Sequence, residues 1–211
     1  MDVTASIREA ILAGDFVPNQ RLIEADLADR FGASRAGIRE ALGVLKGEGV
    51  VERVPHRGAR VRAFTLDEAI EIAEVRRALE SLCAAKAAER VTDGEIAVLR
   101  ALGEAMQRAV AVGDVLTYSV KNRELHALVR AVSGQGAAQN LIERLRGQSV
   151  RQQFRLAMKP GRPAVSVAEH QNIIDAICDR DPSAAESAMA AHLDSVIAAM
   201  RDVGTERRAA R

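Results

Sequence analysis

Apolar residues recur at intervals of three and four along most of this 211-residue chain, the period of a helix with one buried face. In the first third they mark helices over 3–13, 23–31 and 35–47, parted by turns through GDFVPNQ and GAS. Ile23, Leu27 and Phe31 form the stripe of the second helix, and Ile38, Leu42 and Leu45 that of the third. VVERV and ARVRAF instead alternate, as strands do, on either side of the turn PHRG at 55–58. From about residue 66 the pattern is helical again, and six helices are predicted over about 66–90, 93–112, 114–132, 137–158, 165–179 and 183–201. Gly94, Gly113, GQG at 134–136, PGRP at 160–163 and DRDPS at 179–183 punctuate them. Asp114 and Asp181 suit N-terminal caps or near-caps. The pattern divides the chain into residues 1–64, a helical domain over 65–202, and a charged tail, 203–211, expected to be disordered.

In the first domain, Gly32 stands where a helix end favours a left-handed residue and Ser34 where the next helix needs a cap. Two helices joined by so short a turn cross steeply, as a helix-turn-helix. Arg35 and Arg39 then share one face of the third helix, opposite Ile38, Ala41 and Leu42. The first turn offers Ser34, Arg35 and Gly37 to a partner, with Arg39 behind. Gly37 costs up to ~1 kcal/mol of helix propensity relative to alanine, but it removes bulk from the face that would enter a groove. The hairpin adds a basic wing, with His56 and Arg57 at its tip and Arg60 and Arg62 following.

The net charge of +1 names no partner, yet charge is segregated. Residues 1–33 hold three arginines against six acids, and residues 34–63 hold seven basic residues against three glutamates. A positive field beside a grooved reader points to double-stranded DNA. The lack of Trp and the single Tyr argue against stacking platforms for single strands. No run approaches the ~20 apolar residues of a membrane span, and no secretory signal opens the sequence. Cys83 and Cys178 belong to no CxxC pair; they read as two buried thiols, with a disulfide between them as the alternative.

The helical half holds three of the four histidines. Asn122 and His126 lie four apart, on one face with Tyr118, Leu125 and Val129. His170 falls in the stripe Val167, His170, Ile174, Ile177, and His192 in the stripe Ala185, Met189, His192, Val196. His170 lies eleven residues before Asp181 and His192 eleven after it, so an antiparallel hairpin brings them level. Two imidazoles facing each other near a third are what a divalent metal site needs; direct binding of a small ligand by a metal-free histidine pocket is the alternative. Three histidines are also the donor set of hydrolytic zinc sites, but no HExxH relation or nucleophile motif accompanies them, and Glu169, beside His170, should point off the site face. Arg76 lies in the stripe Ile72, Arg76, Leu79, Cys83, where it snorkels, binds an anion or pairs with Glu80 four residues on.

The segment LADRFGASRAGIREALGVLKGEGVVERVPHRGARV closely resembles the winged helix-turn-helix of the GntR family of bacterial transcription regulators, and the match runs from Ile7 to Val61. The resemblance implies that Ser34, Arg35, Arg39, Arg57 and Gly58 contact DNA. Ala36–Gly37 stands where the family commonly has Thr-Pro or similar, and Gly43 where arginine is frequent. EVRRALE, NRELHALVRAVSG, AEHQNIIDAI and AMAAHL resemble the FCD ligand-binding domain of the FadR subfamily, in its six-helix, VanR-like branch. The fold class implied is mainly α: an N-terminal winged helix-turn-helix and a C-terminal antiparallel all-α bundle.

Such domains bind a metal, commonly zinc or nickel, through an Asp and three His. By that match His126, His170 and His192 are ligands, with Asn122 at the Asp position as a weaker, neutral donor. Arg76 is then placed beside the pocket, and with Tyr118 it is a candidate for binding the carboxylate of a small effector. The expected molecule is a homodimer that reads a palindromic operator, a repressor more often than an activator, in the bacterial cytoplasm and at the nucleoid when bound to DNA. An architectural DNA binder whose helical half only dimerises is the competing reading.

Overall fold

The computed structural model describes residues 2–54, 58–145 and 159–209, without the side chains of 12, 13 and 203–209. Of the described residues, those up to Thr65 belong to one compact unit, and Leu66–Glu143 with those from 159 onward form a second. In the first, α1 (Val3–Ala13) starts where the Asp2 carboxylate accepts from Thr4 N and Ala5 N, and it ends at Gly14 with φ 88°. There follow β1 (Arg21–Leu22), α2 (Glu24–Phe31), α3 (Arg35–Gly47), β2 (Val51–Val54) and β3 (Gly58–Val61). The strands form an antiparallel sheet in the order β1-β3-β2, with Arg21 opposite Arg60 and Val51 opposite Val61.

Ile7, Leu22, Leu27, Ile38, Leu45, Val50 and Val61 close one core between helices and sheet. Each such side chain contributes about 1.5–3 kcal/mol on burial. A guanidinium fork from Arg8 to Glu48, at 2.9 and 2.6 Å, ties α1 to the end of α3. This is a winged helix-turn-helix. Two local expectations change. Two-residue β1 carries too few positions for a period-two signal, and it falls in the gap between the turn predicted through Gln20 and the helix predicted from Ile23. Ile23 is not part of the core: it sits at the N-cap of α2 with extended backbone and is 46% exposed.

The second unit is an antiparallel all-α bundle. Its helices are α4 (Leu66–Arg90), α5 (Asp93–Ala111), α6 (Val115–Ser133), α7 (helical over 136–145), α8 (Arg162–Cys178) and α9 (Pro182–Ala209). The remainder of the helix expected over 137–158 lies outside the described residues. Thr92 and Glu95 form a reciprocal capping box on α5. Asp114 accepts from Thr117 N, and Asp181 accepts from Ala184 N at 3.0 Å.

Helix α4 packs along α9 and α6, and α8 packs on α9 and α5. The core between them includes Leu99, Met106, Leu125, Val129, Ile173, Ile174, Ile177, Met189 and Leu193. Helix α8 begins three residues earlier than predicted because Pro163 falls in its first turn, where a missing N–H costs nothing. Helix α9 runs to Ala209 rather than ending near 201, so residues 203–209, expected to be disordered, are helical; Glu206, Arg207, Arg208 and Ala209 favour it against Val203, Gly204 and Thr205. Both cysteines are buried free thiols. No helix among the described residues is long and apolar enough to cross a membrane.

Candidate functional site

The first unit presents α3 by its N-terminal turn. The Ser34 hydroxyl accepts from Gly37 N at 3.1 Å, and Gly32 at φ 61° turns the chain into that cap. Ser34, Arg35 and Arg39 are exposed, while Ile38, Ala41 and Leu42 are buried on the opposite side. Among the described residues Arg39 is held by an exposed fork to Glu24, at 3.2 and 2.9 Å. On the hairpin, Arg60 pairs with Glu52 across the strands at 2.6 Å, and Arg62 lies 4.5 Å over the Phe64 ring. Gly58 opens β3 at φ 82°, a left-handed conformation that strains any side chain. His56 and Arg57 lie outside the described residues.

The second unit brings its three histidines together. His126 comes from α6, His170 from α8 and His192 from α9, and a ligating nitrogen of each lies within 4.8 Å of the others. The ring centroids of His170 and His192 are 4.3 Å apart, those of His126 and His170 5.4 Å, and those of His126 and His192 5.5 Å. His126 Nε2 is 3.3 Å from His170 Nε2. Two nitrogens bound ~2.1 Å from one ion stand ~3.0–3.4 Å apart, so this pair already has that spacing.

Burial drives His126 down to about 4, against the pull of Glu80. Burial, reinforced by His192 and His126, holds His170 well below the usual imidazole range. Neutral imidazoles are the form that binds a metal. On the helices that carry His126 and His170, buried polar atoms lack hydrogen-bond partners: Asn122 Oδ1, the Tyr118 hydroxyl and Ser119 Oγ on α6, and His170 Nδ1 on α8. Burial pushes the Tyr118 hydroxyl up to about 12, so it stays protonated as a donor. Unpaired buried groups are costly. Asn122, one helical turn before His126 on α6, adds an unpaired amide oxygen, and with the three imidazoles this is a donor set that fits a divalent ion of zinc or nickel type.

The family models match along the chain in the same two parts. The model described as bacterial regulatory proteins, gntR family, matches residues 1–61, and the FCD domain model matches residues 71–195. The chain belongs to the GntR family, with an FCD domain. It is 26% identical to the HTH-type transcriptional regulator YdhC of Bacillus subtilis, over 89% of this chain and 84% of that one. It is 24% identical to the HTH-type transcriptional repressor RspR of Escherichia coli, over 95% of this chain and 88% of that one. The solved structure of E. coli McbR/YncC shares the fold, with a TM-score of 0.83 at 24% identity and 95% coverage of both chains. The chain is therefore a transcriptional regulator with a DNA-binding helix-turn-helix and an FCD effector domain, not an enzyme.

Within this FCD domain two carboxylates missing from the sequence-derived set orient the histidines. Glu80 Oε2 lies 2.7 Å from His126 Nδ1, and Glu169 Oε2 lies 2.7 Å from His192 Nδ1. Each is clamped by a buried arginine. Arg76 Nε and Nη2 both donate to Glu80 Oε1, at 2.8 and 2.6 Å. Arg162 donates to both oxygens of Glu169, at 3.3 and 3.0 Å, and to Ser195 Oγ at 2.7 Å. Burial alone would raise Glu80, but Arg76 and His126 together keep it well below the usual carboxylate range.

One expectation is corrected and one alternative is realised. Glu169 does not point off the site; its reach spans from α8 to His192 on α9. Of the alternatives for Arg76, the ion pair with Glu80 is the one that forms, so two of its donors are already engaged. The i, i+4 spacing of Arg76 and Glu80 signalled that pair. Nothing in the linear spacing signalled the contact of Glu169 with His192.

Proposed function

We propose that this GntR-family chain is a repressor whose operator affinity is set by a small carboxylate bound at a divalent metal in its FCD domain. The observation that carries the reading is the convergence of His126, His170 and His192; the unpaired carbonyl oxygen of Asn122, one turn before His126 on α6, supports it. These four residues would hold the ion, zinc or nickel by donor chemistry. A bound ion supplies a fixed positive charge that anchors an acid. The Tyr118 hydroxyl, kept protonated by its burial, donates to that acid. Arg76 acts through Glu80 on His126 rather than by gripping the acid in a fork of its own.

In the head, Ser34, Arg35, Gly37, Arg39, His56, Arg57 and Gly58 form the DNA surface. A homodimer presents two such heads to a palindromic operator. Effector binding shifts the bundle and with it the operator affinity, a coupling of typically ~1–3 kcal/mol. The repressor role draws support from the name of the E. coli relative RspR.

A gel shift with the DNA upstream of the chain's own gene tests the reading. The expected result is a salt-sensitive complex, weakened roughly tenfold or more by Arg35→Ala or Arg39→Ala. Joint replacement of His126, His170 and His192 by alanine should leave DNA binding in place and abolish both metal uptake and any effector response. A response that survives the triple replacement would leave the bundle as a dimerising scaffold only.

A further inference from the structure

In the DNA-binding head, the Glu24 carboxylate stands within electrostatic reach of Arg39, Arg35 and Arg53. Glu24 opens α2 directly after Ile23, which gives that helix no side-chain cap. Its own side chain crosses to α3, where Arg39 Nε donates to Oε1 at 3.2 Å and Arg39 Nη2 donates to Oε2 at 2.9 Å. These hydrogen bonds and the charges of the three arginines hold the Glu24 carboxyl below its usual range, so it is ionised at neutral pH. A negative charge on a face that meets phosphates lowers affinity, and an exposed ion pair adds little stability. The fork does, however, restrict Arg39. A guanidinium presents its N–H donors in one fixed plane. Glu24 occupies the Nε–Nη2 edge and leaves both N–H groups of Nη1 and the second of Nη2; among the described residues Nη1 has no partner. The Nη1–Nη2 edge carries two parallel donors, the pair that matches O6 and N7 of a guanine in the major groove.

We infer that Glu24 is a specificity-determining positioning residue: it fixes the plane of Arg39 and leaves it one donor edge, so that the head selects a guanine there over a phosphate. The inference rests on the proposal that Arg39 lies on the DNA surface. A guanine docks on the free edge with the fork intact, because its acceptors belong to a neutral base. A phosphate brings a full negative charge to the same guanidinium, where Glu24 repels it. To take the Nε–Nη2 edge instead, the phosphate must displace Glu24. By either route the carboxylate penalises the contact that carries no sequence information and spares the one that does.

Selection of binding sites from a random duplex library tests this on the full-length chain, its Glu24→Gln and Arg39→Ala variants and the double variant. The parent chain should require a guanine at one position of each half-site, and Arg39→Ala should abolish that requirement. Glu24→Gln should lower the preference at the same position by about two- to fivefold, the usual worth of an exposed pair, and should change nothing further once Arg39 is replaced. Affinity for a poly(dA-dT) duplex, which offers no guanine, supplies the second readout. Glu24→Gln should bind it about two- to fivefold tighter, with a salt slope steeper by about one per head, because Arg39 is then free to neutralise a phosphate. A role for Glu24 in starting α2 alone would move neither readout. If Glu24→Gln keeps the parent's guanine preference, the inference is overturned, whatever happens on poly(dA-dT), while the DNA reading of Arg39 stands. If Arg39→Ala keeps every base preference as well, both fall together.

Discussion

Arg39 in the DNA-binding head and Arg76 in the FCD bundle each form a two-pronged pair with a glutamate, in opposite surroundings. The Arg39 and Glu24 side chains are 69% and 36% exposed and meet at 2.9 Å; Arg76 and Glu80 are 7% and 2% exposed and meet at 2.6 Å. Water competes with the first pair at every moment, so Arg39 can trade Glu24 for a phosphate or a base edge at little cost. The second pair has no water to fall back on, and each partner is the other's solvation. The head keeps the charge proposed to meet DNA loosely held and available. The bundle locks its charges in place and leaves specific neutral atoms, Asn122 Oδ1 and the Tyr118 hydroxyl, without partners. In the head, availability marks function; in the bundle, incompleteness does.

Breaking one pair in each unit is the most direct test of that contrast. Arg76→Ala strands the Glu80 carboxylate in the core and should cost about 3–5 kcal/mol of bundle stability. Glu24→Ala removes only an exposed partner and should leave the thermal midpoint of the head unchanged. Thermal melts of the two variants beside the parent chain provide the measurement. Comparable losses in both would mean that exposure does not govern these pairs, and the contrast would fail.

A smaller effect should separate clamp from orienter within the bundle. Glu169→Gln keeps the shape of the side chain and its bond from Arg162 but removes the charge facing His192 Nδ1. Loss of such an outer carboxylate typically weakens metal affinity 10–100-fold. Cobalt titration should show a drop in that range, with helical content unchanged by circular dichroism. Unaltered affinity would reduce Glu169 to a structural partner of Arg162.

The same two regions show what was legible in the sequence. The head's helices could be read because Leu27, Ile38, Leu42 and Leu45 repeat with helical period and because Gly32 and Ser34 punctuate them in the way backbone geometry requires. The histidine cluster could be read because helix positions equidistant from a turn come level, which brought His170 and His192 together. What escaped depends on side-chain reach. Glu169 is about 100° around its helix from His170, off the site face by any wheel, yet its length carries it to His192. Two-residue β1 escaped because pairing with β3 defines it, and pairing is not a local property. The last turns of α9 escaped because Gly204 and the charged end read as frayed, although Glu206, Arg207, Arg208 and Ala209 are helix formers.

Gly37 gives the finest probe of the head, and its expected effects run in opposite directions. A Cβ built at this position meets only the Ser34 hydroxyl, at 3.4 Å, an ordinary contact. Nothing in the fold therefore requires glycine there, and its backbone is helical. Gly37→Ala should stabilise the head by up to ~1 kcal/mol through helix propensity. The added methyl sits in the exposed first turn beside Arg35, on the surface proposed to approach DNA, so operator affinity should fall even as the melting midpoint rises. A rise in both would show that the methyl is accommodated in the groove. A rise in stability with unchanged affinity would mean that the arginines alone carry the reading, and that the thin face of α3 plays no part in it.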